Sequence, residues 1–261
     1  MKIIAKELNT IRERIEEGFI DPTPNYEIKS FISKGSKFIR SKLALLYLKA
    51  YSIDINDDIY NLLVAGEAIH NASLLHDDVL DDADYRRETL TISKKISPKL
   101  SILSGDYLLS FAIENLLKTK NLSFLSDFKL CIKEMTSAEI QQFFLRQNKP
   151  TVSEYISICE GKTASLFATI IKVCAEYANL NKTQALQFGK IFGTFFQIKN
   201  DLNSDSAIID KQNGIHTAID ILGIEKTNNL LDNYKTEMNK ILSCIPDNIY
   251  KEGIEDLIKS L

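Results

Sequence analysis

Residues 62–87 read LLVAGEAIHNASLLHDDVLDDADYRR, and this stretch decides the fold class and most of the chemistry. From Leu62 to Leu75 apolar side chains recur at three- and four-residue steps, which is the period of a helix and not of a strand. Asp77 and Asp81 follow one helical turn apart and therefore share a face. Like charges at that spacing destabilise a bare helix by a few tenths of a kcal/mol. The stretch predicts a buried helix that ends in an acidic, cation-binding face.

The acidic run contains five aspartates within eight residues, followed by two arginines: Asp77, Asp78, Asp81, Asp82, Asp84, Arg86 and Arg87. Carboxylate oxygens without nearby His/Cys ligand sets suit Mg²⁺, which proteins commonly hold with one or two carboxylates and substrate phosphates. Adjacent guanidinium groups suit a diphosphate. The alternative is a solvated acidic helix end, but the interleaved apolar residues favour a cleft wall.

The rest of the chain repeats the helical period. Only 10 Gly and 5 Pro occur in 261 residues. The further helical segments span 106–118, 126–147, 152–178 and 183–203. Breaks are predicted at 21–24, 52–57, 97–98, 120–123, 148–150, 179–181 and 213–214. We therefore predict one all-α domain over residues 1–261, with about ten helices.

Composition narrows the function classes. A net charge of -3 and a sequence pI of about 5.8 argue against a nucleic-acid partner. Four dispersed cysteines fit neither a zinc site nor a disulfide framework, which favours reduced thiols and a cytoplasmic location. The charged N-terminus lacks a signal-peptide core, and no run approaches the roughly 18 apolar residues of a membrane span.

The pattern around the acidic run resembles the trans-isoprenyl (polyprenyl) diphosphate synthases, most closely the medium- and long-chain members that make geranylgeranyl to octaprenyl products. Their first aspartate motif is matched in spacing by His70, Leu74, His76, Asp77, Asp78, Asp81, Arg86 and Arg87. Other family motifs follow in order at Gly35, Lys37 and Arg40, at Gly105 and Asp106, at Glu139 and Gln142, at Lys162 to Ala164, at Phe196 and Gln197, and at Thr217. The resemblance covers roughly residues 31 to 226.

The resemblance implies a helix bundle around a central cleft, a homodimer, and condensation of isopentenyl diphosphate with an allylic diphosphate. It assigns up to three Mg²⁺ ions to Asp77, Asp78 and Asp81 and to a second motif, with Asp77 and Asp81 as direct ligands. The implied isopentenyl diphosphate ligands are Lys37, Arg40, His70 and Arg87. The implied allylic diphosphate ligands are Arg86, Lys162, Thr163 and Gln197.

The second motif departs from the family's D-D-x-x-D. Only Asp201 is in register, and Asn200 and Ser204 take the places of acidic ligands, with Asp205 one position late. Asn200, Asp201 and Ser204 form the second predicted metal set, and they resemble the N-D-x-x-S of terpene cyclases, although Ile208 replaces that pattern's final Glu. Three further departures are Phe38, Glu88 and Ile215, the last with Lys211 nearby.

These departures leave three alternatives open: a non-catalytic or weakly active subunit of a heteromeric synthase, a short-chain farnesyl-type synthase, and a terpene cyclase. The intact first motif argues against a drifted subunit. The isopentenyl diphosphate ligands argue against a cyclase, which has no use for that substrate.

Product length is predicted from the residues before the first motif. In the family, an aromatic residue four or five positions upstream stops chain growth early. Here those positions hold the small residues Ala72 and Ser73, with Ile69 one turn further and Phe111 as a floor. The sequence therefore predicts a product of twenty carbons or more.

Overall fold

The computed structural model describes residues 2–18, 36–86, 89–146, 148–202 and 213–261. Gly35, Arg87, Ser204 and the predicted break at 21–24 lie outside these ranges. A short 3₁₀ turn (Lys2–Ile4) precedes the first helix. The α-helices are α1 (Ala5–Glu17), α2 (Ile39–Ala50), α3 (Asp57–Leu80), α4 (Ile92–Lys95), α5 (Pro98–Lys118), α6 (Leu122–Leu145), α7 (Val152–Cys159), α8 (Ser165–Tyr177), α9 (Lys182–Asp201), α10 (Ala218–Leu222), α11 (Ile224–Leu242) and α12 (Ile249–Lys259).

The helical prediction is confirmed. Each predicted break within the described residues falls between two helices or in a turn. One two-stranded antiparallel hairpin, β1 (Tyr85–Arg86) and β2 (Thr89–Leu90), interrupts the helices of the described residues. Backbone contacts divide the chain into two compact units, Met1–Leu45 with Ile55–Leu125, and Leu46–Asp54 with Ser126–Leu261. The single-domain organisation stays a prediction.

In the first unit, α3 is the central helix. The Asn56 side chain caps it by accepting from the Ile59 N–H, and apolar residues cover it nearly all round, as expected of a buried helix. α5 packs along α3 and starts with Ser97 as N-cap and Pro98 in its first turn. The Ser101 hydroxyl donates to the Leu75 carbonyl at 2.8 Å, which fixes the two helices in register.

α5 has 21 residues and a mean hydropathy of 1.2 over its most apolar stretch, so within the described residues it passes the length and composition test for a membrane span. Core helices of proteins outside membranes pass the same test. About 44% of the stretch is buried, along the face that carries Leu108 and Ala112.

In the second unit, α8 and α9 approach to backbone contact. A Cβ at Gly189 would lie 2.6 Å from Ala168 Cα, and one at Gly193 would lie 2.5 Å from Ala164 Cα. Glycine therefore allows the close approach. The segment predicted as one helix over 152–178 is interrupted by a π-helical turn, Glu160–Ala164, between α7 and α8. This turn was not predicted, because apolar spacing does not reveal one added residue per turn.

Candidate active site

The acidic run divides into an accessible pair and a buried member. Asp77 and Asp81 are partly exposed at the C-terminal end of α3, and the Asp81 N–H donates to the Asp77 carbonyl at 2.8 Å. Asp78 is fully buried. Asp77 and Asp81, one helical turn apart, are therefore both partly exposed, whereas Asp78 lies inside the protein.

Asp78 is held by Arg86. The Arg86 Nε–H donates to Asp78 Oδ1 at 2.6 Å. The chain reverses direction after α3 because the helix ends in a Schellman motif. In this motif Asp82 takes a left-handed φ of 47°, and the Ala83 N–H donates to the Asp78 carbonyl. The β1–β2 hairpin then places Arg86 against the helix it has just left. The predicted phosphate ligand Arg86 is thus fixed beside the acidic pair.

His76 on α3 packs against Gly105 and Asp106 on α5. Its Nε2 lies 3.3 Å from Asp106 Oδ1 and 3.3 Å from the Ile102 carbonyl oxygen. A Cβ at Gly105 would lie 2.3 Å from that same nitrogen. Any larger residue at position 105 would therefore force the His76 ring to move from this position.

The N-terminal basic residues sit at the start of α2. Lys37 is exposed, whereas Arg40 is 8% exposed. Phe38, with φ of 48°, is buried and carries Arg12 over its ring at 5.4 Å. This basic end also includes Lys42, whose pKa is lowered by burial and then by the charge of Lys37.

A carboxylate that sequence reasoning missed organises this end of α2. Glu67 on α3 is 2% exposed, and its Oε1 accepts from the Ser41 N–H at 3.1 Å and from the Ser41 hydroxyl at 2.7 Å. Glu67 lies one turn before His70, which is partly exposed. Its position inside an apolar run was the available signal, because a buried acid needs partners.

In the second unit, the π-helical turn gives adjacent residues different partners. Lys162 Nζ lies 2.5 Å from Glu139 Oε2 and 2.8 Å from Gln142 Oε1, both on α6. The Thr163 hydroxyl instead donates to Gln197 Oε1 on α9 at 2.7 Å. Such turns occur frequently at functional sites. The structure therefore joins five of the residues that the family motifs predicted, in two groups: Lys162 with Glu139 and Gln142, and Thr163 with Gln197.

Gln197 is held in turn by Asp201. The Gln197 Nε2–H donates to Asp201 Oδ1 at 3.0 Å, and Asp201 Oδ2 accepts from the Tyr155 hydroxyl at 2.6 Å and from the Ala218 N–H at 3.0 Å. Burial raises the pKa of Asp201, and these three hydrogen bonds oppose the shift. Burial also raises the pKa of Tyr155, with the neighbouring Cys159 and Asp201 adding to the shift.

Magnesium is implied by the resemblance, and the accessible donors fit it. Among the described residues no three acidic, His or Cys side chains form a preformed metal cluster. Asp77 and Asp81 offer two hard oxygen ligands, which suffices for an ion that keeps waters and takes phosphate oxygens. Asn200 is partly exposed, whereas both oxygens of Asp201 are engaged inside the protein. Metal binding by Asp201 stays a prediction, as does metal binding by Ser204, which lies outside the described residues.

The predicted product-length residues lie along α3 and α5. Ala72 and Ile69 are buried, while Ser73 is partly exposed and its hydroxyl donates to the His70 carbonyl at 2.8 Å. Phe111 on α5 is buried beneath the end of α1, where a Cβ on Gly18 would lie 2.2 Å from Phe111 Cε2. The Tyr107 hydroxyl donates to the Gly18 carbonyl at 2.7 Å. The end of α1 therefore closes over the predicted floor.

Sequence comparison assigns the chain to a known family. Residues 25–245 match the family model described as polyprenyl synthetase. The chain belongs to the polyprenyl synthetase family. It is 30% identical over 219 residues to a prenyl transferase of Cyanidium caldarium, covering 77% of this chain and 67% of that protein. It is 32% identical over 181 residues to the octaprenyl diphosphate synthase of Haemophilus influenzae, covering 67% and 54%.

The fold is shared with solved structures. Heptaprenyl diphosphate synthase from Staphylococcus aureus superposes with a TM-score of 0.90 at 23% identity, covering 98% of this chain and 96% of that one. The all-α isoprenoid-synthase-type fold is thereby confirmed. The matched regions span from about half to two thirds of the length of the two curated relatives.

Proposed function

We propose that this protein is a Mg²⁺-dependent prenyl transferase that condenses isopentenyl diphosphate with an allylic diphosphate to give trans-polyprenyl diphosphates. The observation that carries the proposal is the different exposure of the three motif aspartates at the end of α3. Asp77 and Asp81 are partly exposed on one face, and buried Asp78 fixes Arg86 beside them. Two carboxylates next to a fixed guanidinium suit a complex of Mg²⁺ with a diphosphate, because the carboxylates bind the cation and the guanidinium binds the diphosphate.

The reaction breaks the allylic C–O bond, leaving an allylic cation and diphosphate. Magnesium would neutralise charge on the departing diphosphate. Asp77 and Asp81 would hold it in the first unit, and Asn200, Asp201 and Ser204 are a second proposed metal set. Arg86 and Lys162 are both proposed ligands of the allylic diphosphate, and Lys162 is kept in place by Glu139 and Gln142. Thr163 and Gln197 belong to the same allylic subsite. Fixed cationic groups of this kind are the main source of rate enhancement where charge develops.

The second substrate binds through Lys37, Arg40, His70 and Arg87 in this proposal. The C=C double bond of isopentenyl diphosphate attacks the allylic carbon, and a proton then leaves to the released diphosphate. No side-chain nucleophile is needed. Water must be excluded, because it would trap the cation. The buried apolar residues of α3 and α5 support a dry environment within the first unit.

We propose a product of at least twenty carbons, because Ala72 and Ser73 leave room that an aromatic residue would fill. We also propose a homodimer in the cytoplasm, binding up to three Mg²⁺ ions. Exposed Leu103, Tyr107 and Leu117 on α5 support association with another protein surface. Sedimentation of the purified protein would determine its oligomeric state.

The deciding assay uses purified protein, Mg²⁺, farnesyl diphosphate and labelled isopentenyl diphosphate. Label in longer diphosphates supports the proposal, and chelation should abolish it. The double variant Asp77→Asn/Asp81→Asn should lose transfer by at least about 100-fold, whereas Asp82→Asn, an exposed acid of the same run, should retain it.

Two other outcomes would replace the proposal. Hydrocarbon product from the allylic substrate alone would indicate a cyclase. No turnover alone, with activity only after a partner subunit is added, would indicate a subunit of a heteromeric synthase. The observation that favours this second candidate is Asn200, which lacks the family's charged metal ligand.

A further inference from the structure

We propose that Tyr155 is a positioning residue, which holds the Asp201 carboxylate so that Gln197 and Thr163 present hydrogen-bond acceptors to the substrate. The inference rests on the proposed function, because it concerns the allylic subsite. Tyr155 and Asp201 are each 4% exposed, and their side chains meet between α7 and the end of α9.

The donors around Asp201 fix its rotation. The Ala218 N–H can only donate, so Oδ2 is an acceptor at that contact. The Tyr155 hydroxyl donates to the same oxygen at 2.6 Å, a short, charge-assisted distance. With Oδ2 held twice, Oδ1 is left directed at Gln197 Nε2, 3.0 Å away.

The carboxylate then determines which way the Gln197 amide lies. A flipped amide would place Oε1 against Oδ1, two acceptors in contact, and would lose that hydrogen bond. The observed orientation directs Oε1 at Thr163, whose single hydroxyl proton is donated to it at 2.7 Å. Thr163 therefore has no proton left to donate outward.

This polarity changes what the subsite binds. With the amide as observed, Thr163 and Gln197 offer lone pairs, so within the allylic subsite they suit a positively polarised partner and not the diphosphate oxygens to which the resemblance assigns them. With the amide flipped, Thr163 would accept from Nε2 and could donate to phosphate. Tyr155 touches neither residue in the described contacts, so it acts through Asp201.

A double-mutant cycle with Tyr155→Phe and Gln197→Leu tests the coupling. Alone, Tyr155→Phe is expected to lower kcat about tenfold, the effect of one lost hydrogen bond to a charged group, with KM for isopentenyl diphosphate unchanged. In the Gln197→Leu background the same change should lower kcat less than about twofold, because the amide to be oriented is absent. Equal losses in both backgrounds would overturn the proposal.

The matched control is Tyr47→Phe, since Tyr47 is another buried tyrosine of the same unit and its ring stacks on Phe188. It should leave kcat unchanged. A second measurement needs no activity: in glutamine-labelled ¹⁵N protein, the Gln197 side-chain amide signal, identified by its loss in Gln197→Leu, should move in Tyr155→Phe and not in Tyr47→Phe.

These readouts separate the two proposals. Inactive wild-type protein whose Gln197 signal responds to Tyr155→Phe would contradict the proposed function and support the positioning role. Active protein in which Tyr155→Phe changes neither the signal nor kcat would contradict the positioning role alone.

Discussion

Arg86 and Asp78 form a 2.6 Å ion pair, in which the carboxylate is fully buried and the guanidinium is partly exposed. The middle aspartate of the motif therefore contacts Arg86, while Asp77 and Asp81 are partly exposed. The pair ties the β1–β2 hairpin to the end of α3. One aspartate of the predicted metal-binding motif, Asp78, therefore has a structural role in this chain.

Breaking this pair should destabilise the protein. Arg86→Met removes the guanidinium that donates to a buried carboxylate, and we expect the free energy of unfolding to fall by about 3 kcal/mol. The double variant Asp78→Leu/Arg86→Met should recover much of that loss, since no buried charge remains. Urea denaturation measures both. Lys94→Met, which breaks the exposed pair with Asp84, is the control and should change little. An equal loss in the double variant would contradict the argument.

Restoring the missing acidic ligand should strengthen metal binding. In Asn200→Asp a partly exposed carboxylate replaces a neutral amide at the end of α9, so the Mg²⁺ concentration for half-maximal activity should fall, by about fivefold. Asn229→Asp adds the same charge on an exposed position of α11 and should leave it unchanged. Titration of Mg²⁺ in the transfer assay measures this concentration. An unchanged value in Asn200→Asp would mean that residue 200 does not bind the metal.

Product length should respond to bulk at position 73. Ser73→Phe places an aromatic ring where Ser73 is partly exposed, and products should shorten by at least one isoprene unit, as chromatography of the dephosphorylated alcohols would show. Ser73→Ala removes only the hydroxyl that bonds the His70 carbonyl and should keep the wild-type distribution. Unchanged products in Ser73→Phe would place the growing chain elsewhere.

The end of α1 should affect the floor of the same pocket. Gly18 has φ of -62°, which any residue adopts, so the effect of Gly18→Ala is purely steric. Its Cβ would displace the Phe111 ring, costing about 1–3 kcal/mol of stability and shifting the product distribution. Glu17→Ala, an exposed change one residue earlier, should do neither. A lowered melting temperature with unchanged products would mean that Phe111 is core and not floor.

The sequence predicted what depends on local periodicity and on motif spacing. The apolar steps before His76 predicted α3, and turn residues predicted the ends of the described helices. The one-turn spacing of Asp77 and Asp81 predicted that they share a helix face, and both are partly exposed in the structure. These features depend on residues near each other in the chain, where helical geometry leaves few options.

Long-range polar contacts could not be predicted in the same way. Tyr155 and Glu67 read as parts of apolar helix faces, because their partners Asp201 and Ser41 are 46 and 26 residues away. The Asp78–Arg86 pair depends on the left-handed conformation of Asp82, which aspartate adopts less readily than glycine. Each contact satisfies a buried polar group whose partner only the folded chain supplies.

The π-helical turn at Glu160–Ala164 makes part of the site depend on the number of residues and not only on their identity. Removing any one residue of the turn would restore an ordinary α-helical count and rotate all that follows by about 100° about the axis. The partners of Lys162 on α6 or of Thr163 on α9 would then be lost, even with every motif letter intact. A single-codon deletion here would be more damaging than most substitutions, and its effect would be invisible to a comparison of motifs alone.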